Sequence, residues 1–184
     1  MVVPAPFSLA FDHAVIEVVK GHLGDLVQVD LAVSAGVFPA AAGSLTWRHE
    51  ARYSGNNAMS LGIYYEVLMR WVGPARDAQA LTRTVVTHRA SATGQKVKVS
   101  VPDLVQVQGA LAKHKALYRV LVSDVFGQRK GAECIIHGTQ ASLRIPFDGT
   151  LWIRKPGDKE EMPFEYNAAA GWRVEAEFIG AIRG

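Results

Sequence analysis

Cysteine is almost absent from this sequence: Cys134 is the single one in 184 residues. A disulfide framework and a thiolate metal site are both excluded on that count. Cys134 sits in Ala132-Glu133-Cys134-Ile135-Ile136, a strand-like run that predicts a small core residue rather than a reactive thiol. Long apolar runs are missing as well. No stretch reaches the ~18 residues a membrane span needs, so no membrane partner is expected. The opening Met1-Val2-Val3-Pro4 has no basic n-region of a secretory signal, which points to a cytoplasmic chain and leaves the location of any longer parent open. Excess charge is small, with 20 Lys and Arg against 17 Asp and Glu, a net +3. Lys96/Lys98 and Arg129/Lys130 come closest to clusters. A phosphate backbone needs a face of several cations, so these pairs read as solvated strand or turn ends and no nucleic acid is expected. The six histidines (His13, His22, His49, His88, His114 and His137) have no ligand spacing, and no metal site is predicted. Neither a Gly-x-Gly-x-x-Gly turn after a strand nor a Gly-x-x-x-x-Gly-Lys loop occurs.

What the chain does hold is an ordinary globular balance, 49% hydrophobic and 20% charged, sized for one domain over residues 1–184. Phe7, Phe11, Ala14, Val15, Val18 and Val19 recur at helical spacing and stop at Gly21 and Gly24. Leu26 to Ala35 then alternates as a strand, with Val27, Val29, Leu31 and Val33 expected on one side. A second helix is predicted from Ala58 to Trp71, closed by Gly73-Pro74. Further strands are expected at Ala78–Arg89, Leu104–Leu111, Ala116–Val125, Ala132–His137, Ala141–Pro146 and Thr150–Arg154. A polar loop should follow at Lys155 to Asn167, then a closing helix with Val174, Phe178 and Ile182 on one stripe. Short glycine- and aspartate-rich connections favour hairpins. The expected fold is α+β: a largely antiparallel, open-faced sheet of about six or seven strands with helices on one face. Leu117, Leu121, Leu143 and Ile145 suggest apolar positions on both sheet faces, and a half-covered apolar sheet marks a partner surface.

Chemistry concentrates between Trp47 and Gly73. Ser60 and Tyr64 are four apart, on one face of the second helix near its start, where free N–H groups and the positive dipole end favour electron-rich groups. Tyr64 is read either as a proton relay or as an amphipathic residue at the domain rim. Ser60 is either a substrate hydrogen-bond partner or a cap. Asn56 and Asn57 are turn residues first, and Asn57 contacts substrate if its loop faces the cleft. Trp47 and Arg48 could clamp a sugar-like or carboxylated ligand by stacking and charge-assisted bonds, unless Arg48 is spent on Glu50 or Asp77. His49 is a secondary candidate beside them. Tyr65 reads as packing, and Glu66 as the i, i+4 partner of Arg70.

Several segments, taken in order, resemble the C-terminal domain of the Gfo/Idh/MocA oxidoreductases. Trp47-Arg48, followed by Gly55 and by Ser60-x-Gly62-x-Tyr64, resembles the family's Trp-Arg and Asp-x-Gly-x-His signature. Gly21-His22-Leu23-Gly24, Gly138-Thr139-Gln140-Ala141-Ser142-Leu143 and Phe178-Ile179-x-Ala181-Ile182-x-Gly184 resemble its strand approach, late hairpin and late helix. The resemblance implies the substrate-binding and oligomerisation domain of an NAD(P)-dependent oxidoreductase acting on a secondary alcohol of a sugar, polyol or similar compound. It further implies that a nucleotide-binding domain, absent from this chain, would hold NAD or NADP and supply a lysine. This chain alone is then expected to bind no cofactor and to be inactive, and to form a homo-oligomer through its sheet face. Where the family usually places Asp and His stand Ser60 and Tyr64. That leaves an alternative open: a non-catalytic binding or scaffold domain that keeps the dimerising sheet.

Overall fold

A ten-residue strand, β1 (Leu26–Ala35), forms the spine of the molecule. It pairs parallel with β6 (Leu117–Ser123) and antiparallel with β7 (Lys130–Gly138). The structure, a computed structural model, describes residues 9–55, 61–128, 130–166, 179–180 and 182–183. Around β1 the sheet extends through β8 (Ser142–Ile145), β9 (Trp152–Arg154) and β10 (Met162–Pro163) on one side. On the other side lie β6, β5 (Leu104–Ala110) and β2 (Gln79–Arg83). The order of the eight strands is β10-β9-β8-β7-β1-β6-β5-β2, and every pair except β1–β6 is antiparallel. The architecture is the expected mostly antiparallel α+β, with more strands than the six or seven predicted. Ten strands form among the described residues, eight in this sheet and two in a separate ribbon, and two causes account for the excess. The predicted strand Ala78–Arg89 breaks where the Asp103 carboxylate accepts the N–H groups of Val85 and Val86 at 2.7 and 2.8 Å. Beyond that break β3 (His88–Ala90) leaves the sheet and forms a separate ribbon with β4 (Lys96–Lys98). The second cause is β10, which pairs with β9 inside the segment predicted as a polar loop.

Helices α1 (Leu9–Gly21) and α3 (Leu61–Val72) cover one face. From α1 come Phe11, Ala14, Val15, Val18 and Val19, and from α3 Val67, Leu68, Trp71 and Val72, all buried. They meet Val29, Leu31, Tyr118, Val120, Cys134, Ile136, Leu143 and Ile145 of the sheet in one core. Removing each large aliphatic side chain from water contributes on the order of 1.5–3 kcal/mol. Cys134 is wholly inside this core, and burial pushes its thiol pKa up, which keeps it protonated and inert. A polar strut crosses the helix pair. Buried Asp12 accepts the indole N–H of Trp71 at 2.8 Å and sits 3.1 Å from Arg70 Nε. Arg70 also lies 3.6 Å from Glu66, the predicted i, i+4 pair. The predicted helix start at Ala58 lies outside the described residues up to Leu61. So do Val174 and Phe178 of the closing stripe, whereas Ile182 is exposed.

Two side-chain assignments change. Val27 does not share the buried face with Val29, because the β1–β7 register shifts between Leu26 and Gln28. This bulge turns Val27 outward, where it is 53% exposed. Leu143 and Ile145 lie wholly on the helix-covered face, since they pair with Ile136 and Cys134 of the core. The open face carries Leu81, Leu117, Leu121, Ile135 and Trp152 instead, interleaved with a polar ladder. In that ladder Asp30 accepts from Gln28 at 2.9 Å and pairs with Arg119 at 2.9 Å. Arg144 bridges Glu161 at 2.6 Å and Glu133 at 3.5 Å while lying over the Trp152 ring.

The predicted hairpin at Gly138–Ala141 joins β7 to β8 and locks the α1–β1 junction. Thr139 Oγ1 accepts the Asp25 N–H at 3.1 Å, and the Gln140 N–H reaches the Leu23 carbonyl at 2.9 Å. Gly138 permits this approach, because a Cβ there would overlap the Leu23 carbonyl.

Candidate functional site

β1, β6 and β8 run in one direction, so their carboxyl ends share one end of the sheet. The connections leaving that end carry the residues singled out from the sequence. After β1 the chain makes a 3-10 turn at Pro39–Ala41, a second at Trp47–His49, and the short helix α2 (Ala51–Ser54). Past residues 56–60, α3 begins at Leu61. After β8, the Pro146-Phe147-Asp148-Gly149 turn faces the early part of α3, where the Tyr64 and Phe147 rings meet edge to face at 5.4 Å.

Trp47, Arg48 and His49 are brought together by their own turn. The Arg48 guanidinium lies 4.3 Å from the Trp47 ring centroid, a cation–π stack. The acidic partners expected to compete for Arg48 are taken by others: Glu50 pairs with Arg52 at 2.8 Å, and Asp77 with Arg76 at 2.8 Å. Trp47 stays 53% exposed, so the stack is a surface open to a ligand. His49 Nδ1 accepts the Thr46 N–H at 2.9 Å. That bond places the ring proton of the neutral form on Nε2, where it can donate outward. Burial, and then the Arg89 guanidinium, hold the His49 pKa below the ordinary histidine value.

Tyr64 is half-buried against Phe147, which also packs on Trp71 at 5.6 Å. Phe147 adopts φ 55°, the left-handed region. For a residue with a Cβ this conformation costs on the order of 1–3 kcal/mol, and the ring's contacts with Tyr64 and Trp71 offset it. Burial raises the Tyr64 pKa above its ordinary value. At neutral pH Tyr64 is therefore a phenol, able to donate its proton and to accept one only as it passes its own on. Its neighbour Tyr65 is a structural residue, its phenol oxygen accepting the Ala75 N–H at 3.1 Å just past the helix end. Ser60 and Asn57, with Asn56, lie outside the described residues.

Sequence reading missed a group at this same end. Arg89, Asp103 and Asp124 stand near Arg48 and His49: the charges of Arg89 and Asp103 act on His49, and those of Arg89, Asp103 and Arg48 act on Asp124. Desolvation raises the Asp124 pKa, with Arg89 opposing it. Their positions 89, 103 and 124 share no spacing pattern. The one sequence signal was a charged residue inside a predicted apolar strand, as for Arg89 in Ala78–Arg89.

The strand-to-helix passage from β1 to α2 is no dinucleotide loop. Gly36 and Gly43 are well apart, and two 3-10 turns intervene. These residues do not fit a pyrophosphate, which needs clustered glycines opening a helix. Among the described residues no group of three or more His, Cys, Asp and Glu side chains gathers as a metal site. None of the described helices is long and apolar enough to cross a membrane. A groove of about 620 Å³ bordered by Arg76, Gln79, Gln108 and Arg119 lies at the opposite end of the sheet.

The chain belongs to the GFO/IDH/MocA C-terminal domain family, whose model matches residues 14–144. Solved structures share its fold. An NAD binding oxidoreductase from Klebsiella pneumoniae superposes with a TM-score of 0.70 at 18% identity, over 84% of this chain and 45% of that one. Levoglucosan dehydrogenase in complex with NADH and levoglucosan gives 0.72 at 18% identity, over 92% of this chain and 48% of that one. The super-repressor mutant of Gal80p from Saccharomyces cerevisiae gives 0.70 at 18% identity, over 97% and 49%. This chain thus spans about half the length of each. No curated protein sequence matches it.

Proposed function

We propose that this chain is the substrate-binding half of an NAD(P)-dependent oxidoreductase that acts on a secondary alcohol of a sugar, polyol or similar polyhydroxy compound. The observation that carries this reading is that the connection holding the Trp47–His49 turn follows β1 and the Phe147 turn packed on Tyr64 follows β8, so both leave the same end of the sheet. The dinucleotide, held on a separate domain, would supply the hydride acceptor. A lysine of that domain would complete the site, and this chain's residues would bind and orient the substrate. The Trp47–Arg48 stack gives a polyol an apolar face and a guanidinium fork in one place. His49 Nε2–H offers a neutral donor beside it. Tyr64, held by Phe147, gives or relays the proton at the reacting oxygen. Ser60 and Asn57, which precede α3 in the chain, would complete the hydroxyl contacts. Likeness to levoglucosan dehydrogenase supports the substrate class.

The test is turnover of a polyol and anhydrosugar panel with NAD⁺ and NADP⁺ by a protein joining this domain to its nucleotide-binding domain. Arg48→Ala should raise KM at least tenfold with a smaller change in kcat. An unchanged KM for every substrate turned over would remove Arg48 from the site.

A second reading has its own support. Ser60 and Tyr64 replace the expected carboxylate and imidazole, burial raises rather than lowers the Tyr64 pKa, and the fold is shared with Gal80p, described as a transcriptional regulator. On that reading the domain binds or scaffolds without catalysis. Absence of turnover across the panel, with polyol binding or self-association retained, is its signature. In either case we propose the open sheet face as the surface that pairs with a second copy.

A further inference from the structure

Arg89 lies on β3 of the small ribbon yet is only 8% exposed. A guanidinium is costly to remove from water and is kept inside only for a reason. Its Nη1 donates to the Gly43 carbonyl at 2.8 Å. Alongside, the Leu45 N–H reaches the Ala90 carbonyl, also at 2.8 Å. Two bonds from adjacent residues of the ribbon therefore grip residues 43 and 45, directly before the Trp47–His49 turn. The ribbon itself is tied to the sheet end, because buried Asp103 accepts the Val85 and Val86 N–H groups and the Asp124 N–H reaches the Asp103 carbonyl at 2.9 Å. Arg89 Nε is buried with no hydrogen-bond partner. An idle buried donor is a cost that packing alone does not explain.

We propose that Arg89 is a positioning residue: through Gly43 and the β3–β4 ribbon it fixes the Trp47–His49 turn against the end of the sheet, and so sets the geometry in which Trp47, Arg48 and His49 meet a ligand. The assignment rests on the reading of that turn as a ligand site, but the geometry it claims can be measured without any ligand. A carbonyl-directed pin suits arginine, whose rigid planar fork holds direction as well as charge. Lysine keeps the charge on a flexible stem and loses the direction. The charge nearby is balanced by Asp103 and Asp124, so Arg89→Lys preserves the electrostatics while removing the pin.

The experiment is solution NMR on this chain for Arg89→Lys, with Arg89→Met as the second variant. Three signals report the turn: hydrogen exchange of the Thr46 amide, the nuclear Overhauser contact between the Trp47 indole and the Arg48 side chain, and the His49 titration midpoint, assigned by its loss in His49→Gln. The β1 and β6 amides report the fold. The expected result in Arg89→Lys is at least tenfold faster Thr46 exchange, a weakened Trp47–Arg48 contact and a His49 midpoint moved up toward the free value, with β1 and β6 protection kept. Arg89→Met should do the same or more. A lowered Tm with all three turn signals at wild-type values in a folded variant would overturn the proposal and leave Arg89 a packing residue. Loss of β1 and β6 protection in both variants would overturn it too, making Arg89 a folding residue. Loosened turn signals alongside failed turnover of the polyol panel would keep the positioning role and discard the substrate assignment instead.

Discussion

Truncating Asp12 to alanine removes a polar strut between the two helices that roof the sheet, and its cost follows from the contacts. Trp71 is 4% exposed, and its indole N–H donates to Asp12 at 2.8 Å. Asp12→Ala strands that donor in the core, at a cost of about 1–3 kcal/mol. The Arg70 contact at 3.1 Å is partly solvated, so its loss adds roughly 0–1 kcal/mol. A total of about 1–4 kcal/mol, at about 2–4 °C per kcal/mol for a domain of this size, lowers Tm by roughly 2–16 °C. Thermal and denaturant melts of Asp12→Ala, Trp71→Phe and the double variant provide the assay. In the Trp71→Phe background no stranded donor remains, so Asp12→Ala should cost about 1 kcal/mol or less. An equal cost in both backgrounds would refute the strut and assign the loss to α1 packing. The strut bears on the site because it anchors the far part of α3, the helix whose first turns carry Tyr64.

Calorimetric titration of this chain with NAD⁺ and NADP⁺ should give no saturable heat, since its β1–α2 passage lacks a pyrophosphate turn; a micromolar site would overturn that argument. Sedimentation at micromolar concentration should show a dimer or larger, pairing through the open sheet face and burying on the order of 2,000 Å² or more. Because Asp30, Arg119, Arg144 and Glu161 stand on that face, added salt should weaken the association, and a monomer at every concentration would show the face is solvated. Phe147→Gly should relax the left-handed backbone but lose the ring against Tyr64 and Trp71, with a net Tm loss; a net gain would mean the ring contacts do not offset the strain.

Legibility in the sequence followed physical pattern. β1 was readable because Leu26 to Ala35 alternates without interruption, and its bounds agree with the structure. What alternation could not reveal was the bulge at Val27, since an extra residue leaves composition unchanged and only the partner strand exposes the shift. Leu143 and Ile145 were assigned to a face without a register, and pairing with β7 reversed that part of the argument. The ribbon β3–β4 was hidden because a tertiary contact, Asp103 to Val85 and Val86, ends β2 where propensity would let it run on. At the candidate site, the grouping of Trp47, Arg48 and His49 was legible because they are adjacent. The place of Tyr64 on a helix was legible from the apolar spacing that runs to Trp71. Arg89, Asp103 and Asp124 were not, because only the folding of three separate connections brings them to the same end of the sheet.

Turnover of Tyr64→Phe asks whether the phenol moves the proton. In a protein that joins this domain to a nucleotide-binding domain, kcat should fall on the order of 10²–10⁴-fold, the loss typical of removed proton transfer help, with cofactor affinity little changed. The ring contact with Phe147 survives the substitution, so the fold should hold and Tm should stay near wild type. Near-normal turnover in Tyr64→Phe would rule out proton transfer by Tyr64 and return it to packing at the domain rim.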